Sequence, residues 1–238
     1  MDYEKLNYQS VTAGEAQVAA AFPALMRKVY VWMTLALTIT GFTAYVVATS
    51  QSLLSLIYST PAVMWILIIA ELAIVIGVTA AINKISLPVA TLLFVLYSVI
   101  NGALFSSVFL VYTMSSIAKV FFITAGTFAA MSIYGYTTKS DLTSWGKILF
   151  MALIGLIIAT VVNLFLKSSG LEMILSYAGV LIFVGLTAYD TQKIKQMFLQ
   201  APDAGETMQK YALLGALSLY LDFINLFIYL LRIFGRRE

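Results

Sequence analysis

Long apolar runs separated by short polar breaks are the feature that most constrains how this chain can fold. A helix needs about 20 apolar residues to cross the hydrocarbon core of a bilayer, and such runs recur along the 238 residues. Only 11% of the residues are charged, against about 25% in soluble domains. The alternating ten-residue pattern typical of membrane β-barrels does not occur. The sequence therefore predicts an all-α integral membrane protein without a separate soluble domain.

The runs predict a bundle of seven transmembrane helices. The predicted spans are residues 29–49, 62–82, 89–111, 117–136, 148–166, 172–189 with a helical continuation towards a turn at 201–207, and 211–233. Residues 1–26 lack the apolar core of a signal peptide, so we expect a cytosolic tail followed by one membrane domain over 27–238.

The positive-inside tendency sets the expected orientation. Arg27 and Lys28 precede the first span, which places the N-terminus in the cytosol. Seven spans then leave Arg232, Arg236 and Arg237 outside, against the same tendency. Either the last segment is re-entrant, or the earlier spans set the orientation regardless.

Two residue types are missing from the composition, and they narrow the possible chemistry. The chain has no histidine and no cysteine, which excludes histidine catalysis, histidine-ligated zinc, thiolate metal sites and disulfides. The net charge of +3 is small and lies mostly at the predicted interfaces, so we expect no nucleic-acid partner. No phosphate-binding glycine-rich loop is present, which argues against ATP-driven pumping. We expect no cofactor.

Two aspartates in the last two apolar runs are the leading candidates for a functional site. Asp222 lies in the middle of the last run and Asp190 at the end of the run before it. Counted from the turn between these helices, Asp190 lies ~16 Å and Asp222 ~22 Å into the bundle, at ~1.5 Å per residue. Antiparallel neighbours would therefore hold the two acids at similar depth, although the sequence leaves open which faces they occupy.

Such a pair predicts a proton switch. Two carboxylates at low dielectric cannot both ionise cheaply, so Asp190 and Asp222 would share a proton. The doubly ionised pair would attract a hard cation, and its oxygen ligands suit calcium. Asp190 and Asp222 are therefore candidate calcium ligands whose charge a proton controls.

Three further polar residues are candidates for an ion pathway. Glu71 lies at the centre of the second span, Asn101 lies in the third, and Asn225 follows Asp222 by one turn. Ionisable groups inside a membrane are usually functional. For the asparagines, a hydrogen bond to a neighbouring helix is the alternative interpretation.

Four segments resemble one known family. They are SLYLDFINLFIYLLRIFG (218–235), AYDTQKI (188–194), AEL (70–72) and YSVINGALFS (97–106). The chain is similar over nearly its whole length to the Bax inhibitor-1 family, also called the transmembrane BAX inhibitor motif family, in its bacterial branch. The resemblance implies a seven-helix fold with the last helix central, in the bacterial inner membrane.

The resemblance also implies an activity. It implies a pH-sensitive calcium leak, gated by an aspartate pair that matches Asp190 and Asp222. Calcium-leak members carry an arginine near the inner end of the second helix that latches the first aspartate. Here Lys84 is the only nearby cation, and a lysine lacks the bidentate fork of an arginine. Any latch at Lys84 is therefore expected to be weaker or absent.

Two other functions compete with the leak. Intramembrane aspartyl proteases also carry a Tyr-Asp pair, as at Tyr189 and Asp190, but they need GxGD at the second acid, where residues 219–222 read LYLD. The other alternative is a regulatory protein that binds a membrane protease or another membrane complex, which rests on the family resemblance alone. We therefore expect a non-enzymatic, passive cation leak whose partners are membrane lipid, calcium and protons.

Overall fold

The structure is a computed structural model that describes residues 3–199 and 205–236, with side chains from residue 22 onward. Within these residues the chain forms eight helices. They are α1 (Tyr3–Thr49), α2 (Gln51–Tyr58), α3 (Pro61–Ala81), α4 (Leu87–Val111), α5 (Met114–Thr137), α6 (Thr143–Leu166), α7 (Ser169–Leu199) and α8 (Glu206–Phe234). All but α2 contain a segment long and apolar enough to cross a membrane. The predicted all-α bundle with seven spans is confirmed.

The first span and the loop after it differ from the prediction. The candidate span in α1, Phe22–Thr49, contains the predicted span 29–49, but the helix itself continues back to Tyr3, through residues predicted as a tail. Helix α2 occupies the break predicted between the first two spans, and the side chain of Ser50 caps its N-terminus. Helix α3 then begins with Pro61, a position where the missing N–H of proline breaks no helical bond. The cytosolic location of residues 1–26 stays a prediction.

Helix α8 is the centre of the bundle, as predicted. Within an apolar stretch of 18 residues on this helix 67% of the residues are buried, the highest share among the spans found, and the helix packs on α1, α4, α5 and α7. Ala212 and Ala216 are fully buried on this helix. Small side chains let membrane helices approach closely, so α8 can be enclosed on all sides.

Helices α3 and α6 lie at the periphery on different sides of α8. Only 6% of the residues are buried within an apolar stretch of 18 residues on each of these helices. Helix α3 packs on α4 and the short α2, whereas α6 packs on α7. Side chains on α3 are therefore connected to α8 by way of α4, and side chains on α6 by way of α7.

The C-terminal end of α8 lies beside the connection between α4 and α5. The Thr113 amide donates to the Arg236 carbonyl at 3.2 Å, and the Arg236 amide donates to Ser116 Oγ at 2.9 Å. Since α8 is one continuous helix over Glu206–Phe234, the last segment crosses the bundle and is not re-entrant.

The cations near the helix ends favour an N-terminus in the cytosol. We call the end where α1 enters the bundle the inner end and the opposite one the outer end. The inner end carries Arg27, Lys28, Lys84, Lys139, Lys147, Lys193, Lys195 and Lys210, and the outer end carries Lys119, Lys167, Arg232 and Arg236. The larger inner group agrees with the positive-inside tendency despite the arginines after α8.

Candidate functional site

Asp190 and Asp222 line the same cavity, which lies between α6, α7 and α8 and measures about 530 Å³. Asp222 is only 4% exposed. Its Oδ2 atom has no hydrogen-bond partner in the described part of the chain. The two carboxylates are close enough for a direct electrostatic interaction. The structure therefore brings together the two acids that the sequence placed at similar depth.

The cavity exists because α6 and α8 both pack on α7 but leave space between themselves. Gly215 lets α7 and α8 approach, since a Cβ at this position would lie 3.0 Å from the side chain of Ile194. Gly146 does the same for α6 and α7, because the Tyr189 ring fills the place that a side chain would take. With the helices held this closely, the side of α7 that carries Asp190 and the side of α8 that carries Asp222 face the space between α6 and α8.

Two lysines lie at the inner mouth of this cavity, and the sequence interpretation missed both. Lys147 and Lys193 line it, and Lys193 interacts electrostatically with both aspartates. The signal was available, because Lys193 follows Asp190 by three residues, a spacing that puts helical side chains on one face. The Lys193 ammonium lies 5.9 Å from the centroid of the Tyr189 ring.

Lys84, the residue considered as a latch, lies elsewhere. It is exposed in the turn after α3 and is not among the residues that line the aspartate cavity. Helix α3 packs on α4, not on α7. The structure therefore does not bring Lys84 to Asp190, and the cations that line the cavity of the pair are Lys193 and Lys147.

Asn225 lines the aspartate cavity, as does Ser218 one turn before Asp222. The Asn225 amide nitrogen donates to the Leu221 carbonyl at 2.8 Å. This bond orients the side chain on its own helix and leaves the amide oxygen as an available acceptor. The arrangement can offer this amide oxygen and the Ser218 hydroxyl beside the two carboxylates.

The outer end of the cavity is formed by Tyr229. Its ring stacks on Phe183, with centroids 5.9 Å apart and planes inclined by 23°, and lies directly against Gly179, where a Cβ would come within 2.6 Å. The Arg232 guanidinium lies 5.5 Å from the centroid of the same ring. The cavity thus has a cationic inner mouth and an aromatic outer end.

Glu71 and Asn101 belong to a second polar cluster. Tyr97 Oη donates to Glu71 Oε1 at 2.9 Å, and the Asn101 amide donates to the same oxygen. Tyr220 Oη donates to Asn101 Oδ1 at 3.0 Å. Thr40 Oγ1 lies 2.7 Å from the Tyr220 hydroxyl. We call these five residues the Glu71 network.

The Glu71 network and the aspartate cavity lie on different faces of α8. Tyr220 and Asp222 are two positions apart, which is about 200° around a helix. Neither Glu71 nor Asn101 lines the aspartate cavity. The structure therefore does not gather into one site the candidates from the sequence, which were Asp190, Asp222, Asn225, Glu71 and Asn101. The reason is packing, since α3 and α4 lie on one side of α8 and α6 on the other.

The fold and site define a helical, seven-span membrane protein with two carboxylates in one cavity beside its central helix, Asp222 buried and Asp190 partly buried. Residues 23–238 match the family model described as "Inhibitor of apoptosis-promoting Bax1". The chain belongs to the Bax inhibitor-1 family, as the four sequence segments indicated.

Bacterial relatives resemble the chain over almost its whole length. The inner membrane protein YbhL of Escherichia coli (strain K12) is 52% identical over 224 residues, which cover 93% of this chain and 95% of the relative. A protein of Borreliella burgdorferi is 46% identical over 213 residues, covering 90% and 92%. A protein of Rickettsia prowazekii is 45% identical over the same number of residues, covering 90% and 89%. The chain is thus a multi-pass protein of the bacterial inner membrane, as predicted.

Proposed function

We propose that this protein is a proton-regulated, passive leak for calcium, gated by Asp190 and Asp222 and without catalytic activity. The observation that supports the proposal is the shared cavity, in which the Asp222 carboxylate is buried with one oxygen unpartnered. A buried polar group without a partner costs free energy. In a purely structural role nothing would offset that cost. A switch, by contrast, needs a carboxylate that is available to exchange protons and cations.

The proton would act through the charge of the pair. With both carboxylates ionised, the cavity carries two negative charges and attracts a cation. A bound proton removes one of them, and a fully protonated pair attracts none. Calcium entry therefore weakens as the solution becomes more acidic. Lys193 and Lys147 at the inner mouth oppose cation entry until the pair is ionised.

The cavity offers fewer ligands than a storage site for calcium. Calcium takes about 6–8 oxygen ligands in proteins, whereas the cavity supplies the carboxylates of Asp190 and Asp222, the amide oxygen of Asn225 and the hydroxyl of Ser218. In the part of the chain described, no group of three or more acidic side chains converges. We propose that calcium keeps part of its water shell and passes through.

Passage to the outer side requires movement at Tyr229, where the cavity ends against Phe183 and Gly179. We propose that this stack closes the path in the arrangement described here. Tyr229→Ala removes the ring and should raise the basal calcium leak at every pH. A leak unchanged or lowered by this substitution would place the closure elsewhere.

The test is calcium flux into proteoliposomes that contain the purified protein, measured over a pH series. Asp190→Asn and Asp222→Asn should each remove most of the pH dependence, because an amide cannot exchange the proton. If both variants keep the parent pH profile, the pair is not the switch.

Asp141→Asn is the matched control for this test. Asp141 lies on the inner connection between α5 and α6 and is fully exposed. Hydrogen bonds from the Thr143 side chain and backbone hold its pKa below the ordinary value, so it stays ionised over a near-neutral pH series. Asp141→Asn should therefore leave the pH profile of the flux unchanged.

A further inference from the structure

A groove between α1 and α5 is separate from both polar clusters. The two helices pack on α8, and between themselves they meet at the inner end, where the Phe22 ring stacks on Tyr136 with centroids 5.9 Å apart. The space between them measures about 780 Å³. Phe128 and Phe223 form its floor, with ring centroids 5.5 Å apart. Ala129 and Ile133 lie on its exposed rim. On the spanning part of the bundle, such a rim faces lipid.

The dimensions of the groove suit a lipid chain. Its lining on α1 runs from Pro23 to Gly41, which is about 27 Å along the helix axis at ~1.5 Å per residue. The acyl chains of one leaflet cross only about half of the ~30 Å hydrocarbon core, so the groove is long enough to hold a whole chain. The volume of about 780 Å³ falls within the ~300–1,000 Å³ of ligand sites. An unfilled groove would forfeit dispersion contacts along its walls.

The inner mouth of the groove is cationic. Lys195 donates to the Tyr136 carbonyl at 3.0 Å, and its ammonium lies 5.4 Å from the centroid of that ring, which lines the groove. Arg27 is exposed, four residues after Pro23 and seven before Thr34, two residues of the lining. These spacings put Arg27 on the groove side of α1. None of the described residues that line the groove is charged, so both cations lie beside its inner end and not within it.

We propose that this groove binds an anionic phospholipid of the inner leaflet. Its acyl chain would lie along Met33, Leu37 and Phe128 of the lining. Its phosphate would meet Arg27 and Lys195 beside the inner mouth. Basic pockets between membrane helices on the cytosolic side recognise anionic headgroups, and charge-assisted bonds to phosphate are strong. The charge of the mouth therefore selects an anionic lipid over a zwitterionic one with the same chains. This site does not depend on the calcium leak.

The test is native mass spectrometry of the purified full-length protein titrated with phosphatidylglycerol or phosphatidylcholine of identical chains. We expect one phosphatidylglycerol adduct that survives conditions that strip phosphatidylcholine. The double variant Arg27→Gln/Lys195→Gln should weaken phosphatidylglycerol retention by about tenfold or more and leave phosphatidylcholine unchanged. Lys119→Gln, at the outer end of α5, is the matched charge control and should have no effect.

A second pair of variants tests the chain-binding part of the groove. Ala129→Trp fills the groove and should abolish the phosphatidylglycerol adduct. Ala130→Trp adds the same ring to the next position of α5, which is exposed but outside the lining, and should retain the adduct. Equal retention of the two lipids, or an adduct that survives Ala129→Trp, would overturn the proposal. So would a protein dimer that only Ala129→Trp dissociates, because a second copy would then fill the groove.

Discussion

The Glu71 network and the aspartate cavity share the central helix but treat their carboxylates differently. Glu71 accepts hydrogen bonds from Tyr97 and Asn101, whereas Asp222 keeps one oxygen without a partner among the described residues. In hydrocarbon an unpaired polar group costs several kcal/mol. The hydrogen-bonded carboxylate of Glu71 therefore connects helices, whereas the carboxylate of Asp222 is available to exchange protons or cations.

The same comparison explains how the peripheral helices are held. Helix α3 buries little of its surface, and Glu71 connects it to α4 and, through Asn101 and Tyr220, to α8. Helix α6 is equally peripheral, but its inner half borders the aspartate cavity instead of a closed hydrogen-bond network. We therefore expect removal of a carboxylate to affect stability on one face of α8 and ion flux on the other.

The largest stability effect should follow Glu71→Leu. The substitution leaves Tyr97 and Asn101 without their common acceptor, and each buried orphan costs about 1–3 kcal/mol. We expect a loss of about 3 kcal/mol, read as a lower midpoint of thermal unfolding of the purified protein.

Asp222→Leu is the matched comparison for that variant. Because the unpartnered oxygen of Asp222 has no donor to lose, this substitution should be close to neutral or stabilising. If Asp222→Leu lowers the midpoint as much as Glu71→Leu, the two carboxylates do not differ in the way the structure indicates.

A smaller loss should follow Tyr220→Phe. The change removes one hydroxyl that bonds Asn101 and Thr40 but keeps the aromatic contacts of the ring with Phe94 and Tyr97. We expect about 1–2 kcal/mol from the two bonds. Tyr45→Phe serves as the control, since Tyr45 is 50% exposed; an equal effect there would mean that the buried hydroxyl has no special role.

Lys193→Gln should move the pH profile of calcium flux modestly. Lys193 lines the same cavity as the aspartates, and a nearby positive charge stabilises ionised carboxylates, so its removal should shift the midpoint of the flux towards higher pH. Lys193 is exposed and screened by salt, so we expect a shift of less than about one pH unit, smaller still at high ionic strength. A shift to lower pH would contradict this role.

The smallest effect on the pH profile should come from Glu71→Gln. Glu71 lies outside the aspartate cavity, so the proteoliposome assay should give the parent pH midpoint even if the amplitude of the flux falls. A reduced amplitude would support the predicted place of Glu71 in the ion pathway. A displaced pH midpoint would instead show that Glu71 and the aspartate pair titrate together.

Local properties of the sequence were sufficient for the spans and for the depth of the acids. Hydropathy over about 20 residues and the rise of ~1.5 Å per residue depend only on neighbours along the chain. They predicted seven spans, and they predicted that Asp190 and Asp222 lie at similar depth. The pattern around Asp222 also identified the family before any contact was known.

Only the tertiary structure decided which faces meet. The positions of Glu71 and Asp222, both central in their spans, gave no sign that they lie on opposite sides of α8. Close contacts at Gly146 and Gly215 and the placement of α3 and α6 on different neighbours determine that separation. The rotation of each helix about its own axis is set by such packing between segments distant in sequence. The hydropathy of a single segment carries no information about those contacts. The same reason hid the groove between α1 and α5, because a space between two helices belongs to neither of them.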